Sequence, residues 1–158
     1  MIAIITSTLD PAGMNIKENL ISLVKWEEIG EFHSHPYYKY NELYLFTTNK
    51  ESIHCETIDK EINNELKSKI KLLIFATKHV SKAGVHSLSV HSIGNWNKAM
   101  FGGEDSKLVN TDANFLKNAL NILDKKSHKY EVIQEATHHG PYVETPSVFI
   151  EIGSNLKQ

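Results

Sequence analysis

Short apolar segments alternating with amphipathic helices predict an α/β protein, a three-layer sandwich around a largely parallel mixed sheet. Three observations carry this. Leu72-Leu73-Ile74-Phe75-Ala76 is a continuous apolar run of strand length, as expected of an interior parallel strand covered on both faces. Ile16, Leu20, Leu23 and Val24 recur at helical spacing, and so do Ala113, Leu116, Leu120 and Leu123. The 158 residues, 41% hydrophobic and 23% charged, suit one soluble α/β domain over residues 1–158.

In chain order, Ile2 to Ser7 reads as a first buried strand. Asp10-Pro11 is a helix start, with the carboxylate as cap and proline in the first turn, and the helix runs to about Lys25. Trp26 to Phe32 and Leu43 to Thr47 read as extended, with a polar and aromatic turn from His33 to Tyr38 between them. Ile58, Ile62 and Leu66 mark a second helix from about Glu56 to Lys69. The apolar run at Leu72–Ala76 ends in Thr77-Lys78-His79. Val85 to His91 adds a strand, followed by a Gly-punctuated segment through Gly94, Asn95, Trp96 and Gly102-Gly103. Long ordered connections of this kind tend to be functional. After the third helix, Tyr130–Ile133 and Val148–Ser154 are the last strands.

Charge and cysteine content exclude several classes. A formal net charge of -2 gives no general pull toward nucleic acid, so DNA is not an expected partner and any RNA contact is a local patch. The chain contains no arginine, so bidentate guanidinium recognition of phosphate is unavailable to it. Cys55 is the single cysteine, which excludes an internal disulfide and Cys-rich zinc modules. No stretch approaches the length of a membrane span and no basic leader precedes Ile2. A reducing cytoplasmic location is the expectation.

The chemistry-bearing stretch is Glu135-Ala136-Thr137-His138-His139-Gly140-Pro141, where proline forces a turn after a strand. Glu151 stands inside an apolar strand on the face of Phe149, and a carboxylate there needs a partner, a proton or a metal. His79, His138, His139 and Glu151 are expected at carboxyl ends of strands, where open sheets bind ligands. Imidazole with carboxylate suits zinc, although no spaced zinc motif is present. Adjacent His138 and His139 point to opposite faces of a regular strand, so they share an ion only if a turn begins between them. Otherwise they are ordinary hydrogen-bonding histidines. Gly102 and Gly103 suit an anion-binding nest or a simple turn. Trp96 suits base stacking or packing. Lys78, Lys82 and Lys98 lie near the expected crevice and could meet phosphates. His33 and His35 flank a turn, His54 and His128 read as surface positions, and Cys55 lacks a base partner.

Residues 135–141, followed by Pro146-Ser147-Val148-Phe149-Ile150-Glu151-Ile152-Gly153-Ser154, closely resemble the signature of the archaeal and plant type of D-aminoacyl-tRNA deacylase. Phe75 to Gly84, His91 to Gly103 and Met14-Asn15-Ile16 resemble further segments of that family, in order over essentially the whole chain. The resemblance implies hydrolysis of the ester joining a D-amino acid to the 3′ end of tRNA. It also implies a fold similar to peptidyl-tRNA hydrolases and nucleoside phosphorylases, and zinc as cofactor. The expected ligands are His138, His139, His79 and Glu151. Glu135 is the expected base, with His79 and His138 also catalytic. Lys78, Lys82, Asn95, Trp96, Lys98, Gly102 and Gly103 are expected to contact the tRNA end.

Members of that family run further, with a Gly-rich second part. The chain is therefore expected to be incomplete at its C-terminus, with a complementary segment or chain covering the apolar face of Val148, Ile150 and Ile152. Two other readings stand beside this one. The first is another tRNA or nucleoside hydrolase or phosphorylase on the same scaffold, and the second is a non-catalytic half of a split enzyme.

Overall fold

The computed structural model describes residues 1–80, 84–127 and 129–154. Eight strands form one sheet: β1 (Ile2–Ser7), β2 (Glu27–Phe32), β3 (His35–Tyr40), β4 (Leu43–Thr48), β5 (Leu72–Val80), β6 (Ser87–His91), β7 (Glu131–Gln134) and β8 (Ser147–Ser154). Their spatial order is β2-β3-β4-β1-β5-β8-β6-β7. The helices are α1 (Pro11–Leu23), α2 (Ile58–Leu66) and α3 (Ala113–Lys126), and a 3-10 turn spans Ser52–His54.

The four central strands, β4, β1, β5 and β8, are mutually parallel. Their alternation sorts side chains onto two faces. Ile4, Leu45, Ile74 and Val148 face α1 and α3, where Ile16, Leu20, Leu120 and Leu123 cover them. Ile5, Phe46, Phe75 and Phe149 face α2, packing with Ile58 and Ile62. This is the three-layer sandwich that the apolar runs predict. α1 starts where Asp10 Oδ1 accepts the Ala12 and Gly13 amides at 2.9 and 3.1 Å. The second oxygen of Asp10 accepts the Lys78 amide at 2.8 Å, tying the helix start to the end of β5.

Several elements differ from expectation. His35–Tyr40 is a strand, not a turn. It pairs antiparallel with β2 and β4, and the turn shrinks to His33 and Ser34, both at positive φ (50° and 63°). Pro36 is compatible with the strand because the ladder to β4 begins only at Tyr38, so Pro36 has a strand partner on the β2 side alone. β5 runs on through Thr77, Lys78 and His79 to Val80, because β8 pairs with it up to Ser154. α2 is shorter at both ends than expected, and Lys67 closes it in the left-handed conformation. β6 runs antiparallel to β8, and β7 parallel to β6. The residues after β7 therefore do not leave the sheet in the direction of β5 and β8, as a uniformly parallel sheet would require. β8 is also an interior strand, and α3 packs over Val148 and Ile150.

Candidate active site

Toward the ends of β5 and β8 the α2-facing side of the sheet turns from apolar to polar. Phe75 and Phe149 give way to Thr77, His79 and Glu151, and β6 contributes Ser89 and His91 to the same face. Glu151, 4% exposed, lies opposite both Thr77 and Ser89 in the strand register. The Thr77 hydroxyl donates to its Oε1 at 2.9 Å and the Ser89 hydroxyl to its Oε2 at 3.3 Å. His79 Nδ1 lies 3.2 Å from Oε2 and 3.0 Å from Oε1 of Glu135, so one imidazole stands between two carboxylates. Burial opposes ionisation of Glu151, but the bond to His79, the nearby His91 and the Thr77 hydroxyl outweigh it and hold the carboxyl well below the usual range. The bond to Glu151 raises the His79 pKa against burial, with the charges of Glu135 and Glu151 adding to it.

Beside this group three imidazoles converge. β7 ends at Gln134, and the chain continues through a bridge of His138 to Ile93 and a left-handed His139 (φ 46°). The turn required for two adjacent histidines to meet is therefore present, and their ring centroids stand 4.4 Å apart. The His91 ring stacks at 4.4 Å on His138 and lies edge-on to His139 at 5.0 Å. Gly140 holds this corner against the loop before it: a Cβ there would collide with the Gly102–Gly103 backbone, and its amide donates to Phe101 O at 2.9 Å.

The hydrogen bonds select one tautomer for all three rings. His91, His138 and His139 present Nδ1 to the carbonyls of Ser92, Ala136 and Gly140 at 2.9, 2.8 and 2.6 Å. A carbonyl only accepts, so each Nδ1 carries hydrogen and each Nε2 is a lone pair in the neutral ring. One ligand nitrogen from each ring lies within 4.8 Å of the other two. Burial lowers the pKa of His139 to about 4, so this ring is neutral near pH 7. His91 is fully buried, and its Nε2 has no hydrogen-bond partner among the described residues. His91 Nε2 lies 3.8 Å from Glu151 Oε1, a gap that a proton on the ring or a metal cation between the two groups would bridge. Three imidazoles, each oriented by a carbonyl at Nδ1, with a carboxylate alongside, form a donor set that fits zinc.

A cavity of about 440 Å³ opens over this floor of Thr77, His79, His138, His139, Phe149 and Glu151. Its walls come from Ser7, Leu9 and Asp10, from Glu51, Ser52 and Ile53, and from Lys78, Val80 and Phe101. The structure thus brings together the sequence-derived His79, Glu135, His138, His139 and Glu151, and adds His91. The signal for His91 was the alternation Ser87, Ser89, His91, which puts a third histidine on the polar face of a short strand.

The residues proposed to contact tRNA are more dispersed. Lys78 is exposed and lines the cavity, and Lys98 is exposed in the following loop. Lys82 and His128 lie outside the described residues. Asn95 is buried, and its amide donates to the carbonyls of Gly102 and Glu104 at 2.9 and 3.3 Å. Gly103 N–H donates to Glu56 Oε1 at 2.8 Å, and Trp96, 66% exposed, donates its indole N–H to Thr137 O. His33 joins Thr48 to Glu61, Cys55 is buried with its thiol pushed up to about 12, and His54 is exposed.

The sheet order and layers place the chain among α/β proteins of the nucleosidase and phosphorylase fold. It superposes on the methylthioadenosine/S-adenosylhomocysteine nucleosidase of Campylobacter jejuni with a TM-score of 0.62 at 13% identity, covering 98% of this chain and 85% of that one. A uridine phosphorylase from Schistosoma mansoni gives 0.63 at 10%, covering 96% and 74%. Residues 66–158 match the family model described as D-aminoacyl-tRNA deacylase, and the chain belongs to that family. The D-aminoacyl-tRNA deacylase of Pyrococcus furiosus is 39% identical over the whole of this chain and 60% of its own length. That of Archaeoglobus fulgidus is 35% identical over 98% of this chain and 56% of its own. A solved protein described as of unknown function superposes with a TM-score of 0.87 at 34% identity, over 99% of this chain and 56% of that one. The chain thus spans about 60% of the length of these relatives.

Proposed function

We propose that this site hydrolyses the ester between a D-amino acid and the 3′ end of tRNA, as the relatives' name describes, in chiral proofreading of translation. The observation that carries the reading is the juxtaposition of three Nδ1-anchored imidazoles with the His79–Glu135–Glu151 group under an open cavity. In this reading His91, His138 and His139 hold zinc through Nε2, with Glu151 beside them. Zinc, when bound, supplies Lewis acidity toward the ester carbonyl and makes nearby water more acidic.

The chain's own groups do the rest. Glu135, half-buried and 3.9 Å from His138, accepts the proton of the attacking water on a carboxylate oxygen. His79, kept charged by its carboxylate neighbours, delivers a proton to the departing 3′ oxygen of the tRNA. Water is consumed, the acyl–oxygen bond breaks, and the free amino acid and the tRNA hydroxyl are released. Glu151 positions His79 and stabilises its charge. Lys78 at the cavity wall meets the terminal phosphate.

A segment or separate chain matching the remaining length of the relatives belongs to this reading as a partner. Incubation of the chain with tRNA charged with D-tyrosine or L-tyrosine is the test, with and without that segment. Release of D-tyrosine and sparing of L-tyrosine is the expected result, and equal rates on both would overturn the reading.

A further inference from the structure

An aminoacyl ester carries a second polar group besides its carbonyl, the α-ammonium, a cation with three N–H donors. A cavity that takes this substrate needs an anionic acceptor for it that is not already committed elsewhere. Three carboxylates line the cavity among the described residues: Asp10, Glu51 and Glu151. Asp10 is 7% exposed, and its oxygens accept the amides of Ala12, Gly13 and Lys78. Glu151 is 4% exposed and held by Thr77, Ser89 and His79. Both are parts of the frame.

Glu51 differs from them. Its main chain is pinned, since its carbonyl accepts the His54 amide at 2.9 Å and the Cys55 thiol at 3.4 Å. The preceding carbonyl, of Lys50, accepts the Ser7 hydroxyl at 2.7 Å. Its carboxylate, 60% exposed, has His54 Nε2 at 3.9 Å, beyond hydrogen-bond length. Lys50 does not neutralise it, because that ammonium pairs with Glu61 at 3.7 Å. Glu51 thus has an anchored main chain and an accessible carboxylate, and it is one of the residues that line the cavity.

We propose that Glu51 is the specificity-determining contact for the α-ammonium of the aminoacyl group. This rests on the deacylase reading and adds to it the second anchor of the substrate. With only the carbonyl held on the histidine floor, the α-carbon turns freely, and either enantiomer can present its carbonyl. With the ammonium held as well, hydrogen and side chain exchange places between D and L, so the cavity wall accepts one enantiomer and collides with the other.

The test uses the chain itself and a ligand that cannot turn over. This is 3′-deoxy-3′-(D-tyrosylamino)adenosine, in which an amide replaces the ester, with its N-acetyl and L-tyrosyl counterparts, measured by calorimetric titration against wild type and Glu51→Gln. A hydrogen-bonded charge contact at a partly open site corresponds to about tenfold in affinity. Wild type is expected to prefer the free amine over the N-acetyl ligand by a ratio that falls about tenfold in Glu51→Gln, with the D-over-L preference shrinking in parallel. The bulk of the acetyl group is the same for both proteins and cancels in that comparison. The melting temperature of the variant is expected to match wild type, since the side chain makes no internal hydrogen bond among the described residues. An unchanged ratio in Glu51→Gln, or equal affinities of wild type for the free and acetylated amines, would overturn the assignment and leave the deacylase reading standing. Failure of wild type to bind any of the three ligands would overturn both.

Discussion

At His91, His138 and His139 the carbonyl bond to Nδ1 and the free Nε2 are two halves of one arrangement, because orienting the ring is what aims the lone pair. On the zinc reading, alanine at any one of the three removes a proposed ligand. Each substitution is expected to weaken zinc binding at least tenfold, with His91→Ala as severe as the other two, as read by elemental analysis after dialysis against buffered zinc. Stoichiometric zinc retained in all three variants would take the imidazoles off the ligand set. The His139 ring also makes a pH prediction for the chelator-treated protein. Its pKa falls from 6.5 to about 4 on folding, so between these values the unfolded chain holds the proton and the folded chain does not. Stability therefore falls as the pH drops from about 6.5 to about 4, by roughly 3 kcal/mol in total from this group. Urea titrations across that range should show the slope, and His139→Gln should lose it.

Between elements, Asp59 joins α2 to the segment leading into β8. It is 1% exposed, and its Oδ2 accepts the amides of Glu144 and Thr145 at 3.0 and 2.9 Å. Replacing it by alanine leaves two amides of that segment unpaired, at a cost of roughly 2–4 kcal/mol. A lower urea midpoint with an unchanged slope is the expected result, and a midpoint equal to wild type would show that solvent replaces the carboxylate. At this scale the sequence reading succeeds where one signal decides and fails where two compete. The Asp10-Pro11 helix start and the Leu72–Ala76 strand are local facts. His33–Tyr38 read as a turn because of its polar and aromatic residues, whereas the strand His35–Tyr40 comes from pairing with β2 and β4. β5 reaches Val80, past the apolar run, for the same reason: its last residues are held by the register with β8.

For the whole molecule, the absence of arginine and a net charge of -2 limit the number of phosphates the chain can neutralise. If Lys78 and one or two other lysines meet the tRNA end, log K against log salt should have a slope of roughly -2 to -3, far shallower than for extended nucleic-acid surfaces. Filter binding of charged tRNA over a range of potassium chloride concentrations reads this slope directly. A value near -6 would require a basic surface that these lysines do not supply. No helix among the described residues is long and apolar enough to cross a membrane.

By itself the sequence determined the layer architecture, the capped start of α1, the family through its ordered motifs, and five of the six histidines and carboxylates that meet at the polar end of the sheet. Those are properties of local pattern: period-two and period-3.6 hydrophobicity, a capping carboxylate, a histidine pair before a proline. The tertiary structure alone decided that β6 runs against β8, that His139 is left-handed, and that His91 faces the pair and Glu151. It also decided that Asp10 and Glu151 are held within the frame while Glu51 is not. Strand direction, which carboxylate finds a donor and which lone pair does not are set by partners tens of residues away, and no short window of sequence contains both members of such a pair.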